Sequence, residues 1–592
     1  MLFIPIANYK NTVLKKIDHI FPIAAVFRSY TRSQFKADLI AGITVSIVLI
    51  PQAMAYALLM GVPPIYGLYA CVFPLFIYTF LGTSRLLSIG PVAVTAILVM
   101  SGVSQLAEPF SDQFLSLVIF SSLLIGLLQI ILGVLRMGFL VNLISQPVLT
   151  GFISAAAIII IVSQLGEALG ISVPSLNTFQ RIQYTFQNLQ NTHVLTFVMC
   201  LLSILLIMGL RKWKHSFPGA LFILLLSSLA TYYFKLYDQG ISVIGEVPKG
   251  LPDFELPDFS YQNMLTLLPA VLTITFIGYV GSIGIAKSLE LKNKDHVIKP
   301  SQELLALGIA KVIGAFFQAV PSSGSYSRTA INDRAGGKTQ ISSLITAILV
   351  VISLLFLTTY FYYIPKAVLA AIILVSVLGL IDVKEAIHLW HIKRKEFIIM
   401  ITTFIGTLII GVELGIFIGV LSAYFFLQYH SSRPHVAELV KIPDTNYYRN
   451  ILRFPEALRS EQYLIIRFDD QLYFANATYF KDVILKHIGQ RSVTPKFLIL
   501  DAKNMHDMDT TGLYILEDVY TYLENSEIQL LISGAIGPVR DFLQRSGFTD
   551  QLGSAYYFMT IADAVSYVEN KSVHTHTFTP AVQYNERRSL LD

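Results

Sequence analysis

The stretch Ser323-Gly324-Ser325-Tyr326-Ser327-Arg328-Thr329-Ala330 decides the fold, together with its counterpart Ser88-Ile89-Gly90-Pro91-Val92-Ala93-Val94-Thr95. Each places small and hydroxyl residues at the mouth of an apolar run that is too short to cross a bilayer. Two interrupted segments at corresponding places in the halves of a membrane protein indicate a substrate site near the membrane midplane. Arg328 strengthens this interpretation, because a charge is costly in hydrocarbon and implies a function.

The composition around these stretches is that of a polytopic membrane protein. The 592 residues are 54% hydrophobic with a mean hydropathy of +0.62, beyond the range of ordinary soluble proteins. Apolar stretches such as residues 114–135, 148–165 and 194–210 recur up to about residue 430, and several are long enough to span a bilayer. Residues 1–37 lack a signal-peptide pattern. Cys71 and Cys200 lie in apolar runs, so we expect packed thiols rather than a disulfide or metal pair.

Basic residues mark one side of the membrane. They cluster before the first span and again at residues 211–214, 287–294 and 393–395, whereas the loop at 237–258 is acidic. If the chain crosses an even number of times between the basic clusters, the positive-inside rule makes that side, and both termini, cytoplasmic. We expect a multi-pass protein of the cytoplasmic (inner or plasma) membrane, in contact with the lipid bilayer. Nucleic-acid binding is disfavoured because the charges are dispersed between spans.

Composition also divides the chain into four parts. We predict an N-terminal cytoplasmic segment (residues 1–37), a transmembrane domain (38–430), a small soluble domain (433–570) and a polar tail (571–592). In the soluble part, strand-like runs at residues 463–468, 496–500 and 528–533 alternate with helical stretches at 478–487, 512–523 and 539–546. This alternation favours an α/β sandwich.

On these stretches the chain resembles the SulP anion-transporter family, the sulfate permease-like proteins that include prestin. The order and spacing of residues 51–56, 67–85, 88–95 and 321–332, and of the soluble part, carry the resemblance over nearly the whole chain. It implies a polytopic α-helical membrane protein of fourteen segments in two inverted seven-segment repeats, with core and gate domains. A cytoplasmic STAS domain would follow. Segments three and ten would be half-helices facing each other, and the unpaired N–H groups at their N-termini suit an anion.

The resemblance assigns six residues to the anion pocket, on the first segment and at both half-helix mouths: Gln52, Tyr56, Val92, Ala93, Ser327 and Arg328. Gln52 and Tyr56 stand four residues apart and so share one helix face. We expect Ser88 to cap the first half-helix with Pro91 at its first position, and Ser325 or Ser327 to cap the second. The alternatives are re-entrant turns with packing roles, and a proline-kinked helix whose polar residues bond the neighbouring backbone.

One position departs from the family pattern. Family members often carry a carboxylate on the eighth segment, which pairs with the arginine or binds a coupling cation, but this chain has Gly281 there. Cation symport is therefore disfavoured relative to exchange or uncoupled transport, and a bound anion would neutralise Arg328, which lacks its expected partner. Four alternatives remain open: a channel-like or voltage-responsive conductor, a proton- or sodium-coupled sulfate or bicarbonate symporter, a nucleobase transporter, and a sensor with vestigial transport.

The predicted function is secondary transport of small anions by alternating access, and sulfate, bicarbonate, chloride and dicarboxylates are all compatible with the pocket. The sequence shows no catalytic triad, metal cluster or redox motif, so we expect neither an enzyme nor a cofactor. Asp509 and Thr510 begin a helix in the STAS signature, where capping is a sufficient role. Thr510 corresponds to a phosphorylated residue in anti-sigma-factor antagonists and is a candidate regulatory phosphosite. We also expect a homodimer and a cytoplasmic protein partner for the STAS domain.

Overall fold

The structure is a computed structural model that describes residues 21–139, 144–174, 178–213, 219–257, 259–293, 297–455, 457 and 459–570. The predicted polar tail (571–592) and the first 20 residues of the N-terminal segment lie outside the described residues. The chain divides into two compact units, Met1–Ala423 and Tyr424–Asp592, which are described separately.

Apolar helices make up the first unit, as the hydropathy predicts. In the described ranges, seven helices are long and apolar enough to cross a membrane. The first half contains the helices Ile23–Arg28, Arg32–Met60, Pro64–Tyr69, Phe73–Leu81, Ala93–Val103, Asp112–Val134, Gln146–Leu169, Thr178–Gln187, Val194–Trp213 and Gly219–Tyr233. The second half contains Tyr261–Asn293, Pro300–Ala315, Tyr326–Arg334, Ile341–Phe356, Thr358–Phe361, Lys366–Leu378, Val383–Ile392, Arg394–Ile409 and Val412–Ser432. The predicted helical membrane fold is confirmed.

The two interrupted segments meet inside this unit. Strand β1, Ile89–Gly90, pairs antiparallel with β2, Ser323–Gly324, and the N–H of Ser325 donates to the carbonyl of Ser88 at 2.9 Å. Extended backbone at membrane depth is tolerated where its polar groups are satisfied within the protein, and this pairing satisfies them. The two strands lead into two short helices, which we call the first half-helix, Ala93–Val103, and the second half-helix, Tyr326–Arg334.

The two half-helices begin in different ways. Ser325 caps the second half-helix, because its hydroxyl accepts from the N–H of Arg328. The sequence predicts either Ser325 or Ser327 as this cap. The first half-helix has extended Val92 at its N-cap and no side-chain cap. The predictions of Ser88 as a cap and of Pro91 at the first helical position are therefore wrong. Ser88 and Pro91 flank strand β1, and the helix begins only at Ala93, after β1 has paired with β2.

A buried carboxylate fixes the loop that precedes the first half-helix. Glu303, at the start of helix Pro300–Ala315, is fully buried. It accepts from the N–H groups of Thr83 (2.5 Å) and Ser84 (2.9 Å), and from the hydroxyl of Tyr78 (2.7 Å). A buried charge must be paired or well hydrogen-bonded, so this network ties the loop to the helix.

A second buried carboxylate fixes the loop that follows the second half-helix. Asp38, near the start of helix Arg32–Met60, is also fully buried. It accepts from the N–H groups of Lys338 (2.6 Å) and Thr339 (3.0 Å), and from the hydroxyl of Tyr30 (2.9 Å). Each half-helix is thus held at one flank by an acid that receives two consecutive backbone N–H groups.

The second unit is the predicted α/β domain. Its strands, β3 to β8 in chain order, are Val436–Lys441, Tyr448–Asn450, Tyr463–Phe468, Phe497–Asp501, Gln529–Ser533 and Tyr557–Phe558. They form a six-stranded mixed sheet of the order β4-β3-β5-β6-β7-β8, in which β5 to β8 run parallel. The helices are Ala477–Gly489, Thr510–Asn525, Gly537–Arg545, Phe548–Leu552 and Ile561–Asn570. Strands β5, β6 and β7 lie where the hydrophobic pattern predicts them, within one residue, whereas β3, β4 and β8 were not predicted.

Candidate functional site

A cavity of about 510 Å³ lies at the mouths of the two half-helices, and we call it the central cavity. Five of the six predicted pocket residues line it: Gln52, Tyr56, Val92, Ala93 and Ser327. One wall comes from the half-helices and from helices Arg32–Met60 and Tyr261–Asn293. The facing wall comes from helices Gln146–Leu169, Val194–Trp213, Gly219–Tyr233 and Lys366–Leu378.

The wall is rich in donors and short of acids. It carries the hydroxyls of Thr95, Ser323, Ser325, Ser327 and Ser376, besides the first-turn N–H groups of both half-helices, which have no intrahelical acceptors. Among the described residues that line the cavity, none is Asp or Glu. Such a surface favours an anion, because it offers dipoles of one sign and no competing negative charge.

Arg328 lies behind this wall rather than on it. Its side chain is fully buried and is absent from the cavity lining. Its Nη1 donates to the carbonyl oxygen of Pro91 at 3.0 Å and to Oε1 of Gln52 at 3.4 Å. The arginine expected to lack a partner thus has two neutral acceptors, while its Nε and Nη2 have none in the described part of the chain. Through its hydrogen bond to Gln52, Arg328 contacts a residue that does line the cavity.

Gly281 stands on the cavity wall, and its surroundings are open. A Cβ added at Gly281 would meet no heavy atom within 4 Å, whereas one at Gly278 would lie 2.8 Å from Oγ of Ser323. The hydroxyl of Ser282 accepts from the N–H of Gly324 at 2.8 Å. The small residues of this helix therefore pack against β2, and Gly281 leaves space inside the cavity where the family resemblance expects a carboxylate.

Polar contacts join the elements around the cavity. The hydroxyl of Thr95 donates to that of Ser323 at 3.2 Å, which links the two interrupted segments. Tyr56 and Ser376 bring two hydroxyls to the lining, one from helix Arg32–Met60 and one from helix Lys366–Leu378.

The lining of the cavity also includes Gly219, Arg334 and Leu380, which lie at or just beyond helix ends. Gly219 follows the basic stretch 211–214 in the chain, and Arg334 lies four residues before Lys338, so we expect the cavity to open toward the side of the membrane that carries the basic loops. Arg334 is exposed and is the one charged residue among the described lining residues. Arg334 was not among the predicted pocket residues. The sequence signal that could have identified it is its charge at the far end of the short helix that begins at the predicted mouth.

In the second unit, Asp509 caps the helix that begins at Thr510. Its Oδ1 accepts from the N–H of Gly512 at 2.7 Å and its Oδ2 from that of Phe474 at 3.0 Å. Thr510 is the first helical residue and is exposed. The structure therefore gives the capping role to Asp509 and leaves the Thr510 hydroxyl accessible to solvent.

A second carboxylate of this unit, Asp469, is saturated with donors. Burial raises the pKa of its carboxyl, but hydrogen bonds from Arg467, His435 and Asn504 outweigh that effect and hold the pKa below its usual value. This acid is ionised at neutral pH and joins the end of strand Tyr463–Phe468 to His435 and Asn504. In the described residues no cluster of His, Cys, Asp or Glu is arranged to hold a metal ion.

Comparison with known proteins gives a consistent result. A model of the sulfate permease family matches residues 35–403, and a model of the STAS domain matches residues 454–564. The chain is 38% identical over 566 residues to the chloroplastic sulfate transporter 4.1 of Arabidopsis thaliana, covering 93% of this chain and 82% of that protein. It is 32% identical over 593 residues to sulfate transporter 1.1 of the same plant, covering 95% and 91%.

Solved structures share the fold. The murine solute carrier 26 family member A9 anion transporter, in its inward-facing state, superposes with a TM-score of 0.87 at 24% identity, covering 96% of each chain. The transmembrane domain of the cyanobacterial bicarbonate transporter BicA superposes with a TM-score of 0.58 at 23% identity, covering 66% of this chain and 98% of that one.

Proposed function

The chain belongs to the sulfate permease family, whose members are transporters and not enzymes, and from this premise we propose that it carries small anions through the central cavity by alternating access. The lining of the cavity supports the proposal, because it offers hydroxyls and half-helix N–H groups with no acid among its described residues. The anion would bind between the two mouths, in contact with Gln52 and Ser327 and within the field of Arg328.

Sulfate is the first substrate to test, since both plant relatives carry it in their names. Bicarbonate, chloride and dicarboxylates are further candidates, because dipoles and hydroxyls recognise charge more than shape. Exchange or uncoupled transport is favoured over cation symport, since Gly281 stands at the position where the family resemblance expects the carboxylate that would bind a coupling cation.

The proposal extends to location and partners. We place the protein in the cytoplasmic membrane with both termini and the basic loops in the cytoplasm; a chloroplast membrane is the second candidate, because one relative is chloroplastic. A homodimer and a cytoplasmic protein partner for the STAS domain complete the proposal. Thr510 is the candidate phosphosite, exposed at a helix N-terminus where a phosphate is electrostatically acceptable, and phosphopeptide mass spectrometry tests it.

Flux through proteoliposomes tests the transport proposal. Purified full-length protein would be supplied with sulfate, chloride, bicarbonate and oxalate in turn, while internal anion, pH and sodium are varied independently. We expect saturable anion flux that Arg328→Ala abolishes or strongly alters in selectivity, because the variant removes the charge behind the wall and frees Gln52. Unchanged flux of sulfate, chloride and bicarbonate in Arg328→Ala would count against the site.

The same experiment separates a second candidate, a channel-like or voltage-responsive conductor. The absent carboxylate at Gly281 favours it, since no acid at that position can couple the anion to a cation. A conductor would show flux proportional to the driving force with no dependence on a counter-anion, whereas an exchanger needs an anion on the opposite side.

A further inference from the structure

We propose that Arg334 is a capture site for doubly charged oxyanions at the entrance of the central cavity, a role that rests on the transport function proposed above. Arg334 lines the cavity and is exposed. No hydrogen bond or ion pair joins its guanidinium to another residue in the part of the chain that the structure describes. The cavity therefore holds a positive charge at its open end as well as behind its inner wall.

The position of Arg334 separates it from the inner site. It lies in the last turn of the second half-helix, eight residues beyond Tyr326, which corresponds to about 12 Å along a helix axis. Gly219 and Leu380, which also line the cavity, lie likewise at or just beyond helix ends. An anion moving between the basic side of the membrane and the half-helix mouths passes this guanidinium first.

A structural role explains only part of this arrangement. A basic residue in the last turn interacts favourably with the negative end of the helix dipole. This interaction accounts for an arginine at this point of the chain. It does not account for a side chain on the cavity wall without an acidic partner. The neighbouring acid Asp333 has an interaction of its own, so the charge of Arg334 is left available to a mobile anion.

The chemistry of the guanidinium indicates the ligand class. It presents a planar fork of donors that matches two oxygens of a sulfate-like anion. Coulomb energy is proportional to the charge of the anion, so a dianion gains twice what a monoanion gains from the same arginine. The factor by which Arg334 raises the affinity for a dianion is therefore the square of the factor for a monoanion. Salt must weaken both gains, because the Debye length is only about 10 Å at 0.1 M.

The chain offers a matched control for this residue. Lys338 is also exposed and lies four residues further on, but its side chain does not line the cavity. Arg334→Gln and Lys338→Gln each remove one positive charge from the same region and keep a polar side chain. Arg334→Lys restores the charge without the planar fork. Full-length variants in proteoliposomes would be assayed for KM and maximal rate with sulfate and with chloride, from each side of the membrane and at several ionic strengths.

We expect Arg334→Gln to raise the KM about fourfold for sulfate and about twofold for chloride, from the basic side only, with the maximal rate retained. Its KM should depend less on ionic strength than that of the wild type, Arg334→Lys should recover part of the loss, and Lys338→Gln should match the wild type. An unchanged KM in Arg334→Gln, or an equal change in Lys338→Gln, would overturn the capture site.

A binding measurement keeps this inference distinct from the transport proposal. Sulfate-dependent thermal stabilisation of the purified protein reports binding without flux. If wild-type protein moves no anion, the transport proposal fails, and the capture site then stands or falls on whether Arg334→Gln shifts the stabilisation curve to higher sulfate. If flux is normal and the KM of Arg334→Gln is normal too, the capture site alone fails.

Discussion

At the scale of single residues, the sequence predicts which side chains matter better than it predicts what they touch. Gln52 and Tyr56 line the central cavity, as their helical spacing and the family resemblance indicate. Arg328 lies behind the wall, because the carbonyl of Pro91, 237 residues away in the chain, turns toward it. The Pro91 carbonyl directly follows Gly90, whose φ of 153° lies outside the range that other residues favour. No local pattern predicts such a pairing.

Gly281→Glu tests the departure from the family at this scale. The added side chain has room, since a Cβ there meets no atom within 4 Å, and it would bring a carboxylate to the wall of an anion cavity. Two negative charges in one cavity repel unless a cation or proton accompanies them. We therefore expect anion uptake in the variant to rise with sodium or with falling pH more steeply than in the wild type.

Gly281→Gln is the control for this variant, because it fills the same space without a charge. Equal cation dependence in Gly281→Glu and Gly281→Gln would show that bulk, and not charge, is responsible. Wild-type flux that already follows a sodium or proton gradient stoichiometrically would contradict the interpretation of Gly281 itself.

At the scale of elements, the interrupted segments are predictable and their supports are not. Small and hydroxyl residues at the mouths of short apolar runs indicate both half-helices. The acids Glu303 and Asp38 went unrecognised, because their backbone partners lie 220 residues away at Thr83 and 301 residues away at Thr339. An acid within an apolar helix was the available signal, since it must be satisfied or expelled.

Glu303→Gln tests whether this network supports the first interrupted segment. The amide keeps the shape of the carboxylate but has one acceptor oxygen and a misplaced donor, while two N–H groups and the hydroxyl of Tyr78 remain buried. Hydrogen bonds to a charged group contribute about 1.5–3 kcal/mol each, so we expect unfolding at clearly lower temperature. Thermal unfolding of the purified protein in detergent measures the change.

Tyr78→Phe is the matched control, because it removes one hydrogen bond from Glu303 and leaves the backbone contacts in place. We expect it to lower the free energy of unfolding by about 1.5–3 kcal/mol, less than Glu303→Gln does. A midpoint for Glu303→Gln equal to or above that of Tyr78→Phe would mean that the carboxylate does not hold the loop.

At the scale of the whole molecule, composition was enough to separate a helical membrane unit from an α/β unit. The strands β5, β6 and β7 follow the apolar runs of the sequence, since each is buried between helices and reads as continuous hydrophobic residues. The edge strand β4, of three residues, and β8, of two residues, are too short for any pattern to stand out. Neither composition nor spacing predicts the side of the membrane toward which the cavity opens. We infer that side from the helix ends that line the cavity.

Orientation in the membrane is the remaining whole-molecule prediction, and the two native cysteines make it testable. Cys71 and Cys200 are both buried, so they give a low background to a membrane-impermeant maleimide. Lys338, four residues beyond Arg334, and Lys249, in the acidic loop, are both exposed. If the basic side is cytoplasmic, Lys249→Cys is labelled in intact cells, whereas Lys338→Cys is labelled only after the membrane is opened. The reverse pattern would place the entrance at Arg334 outside the cell and refute the positive-inside assignment.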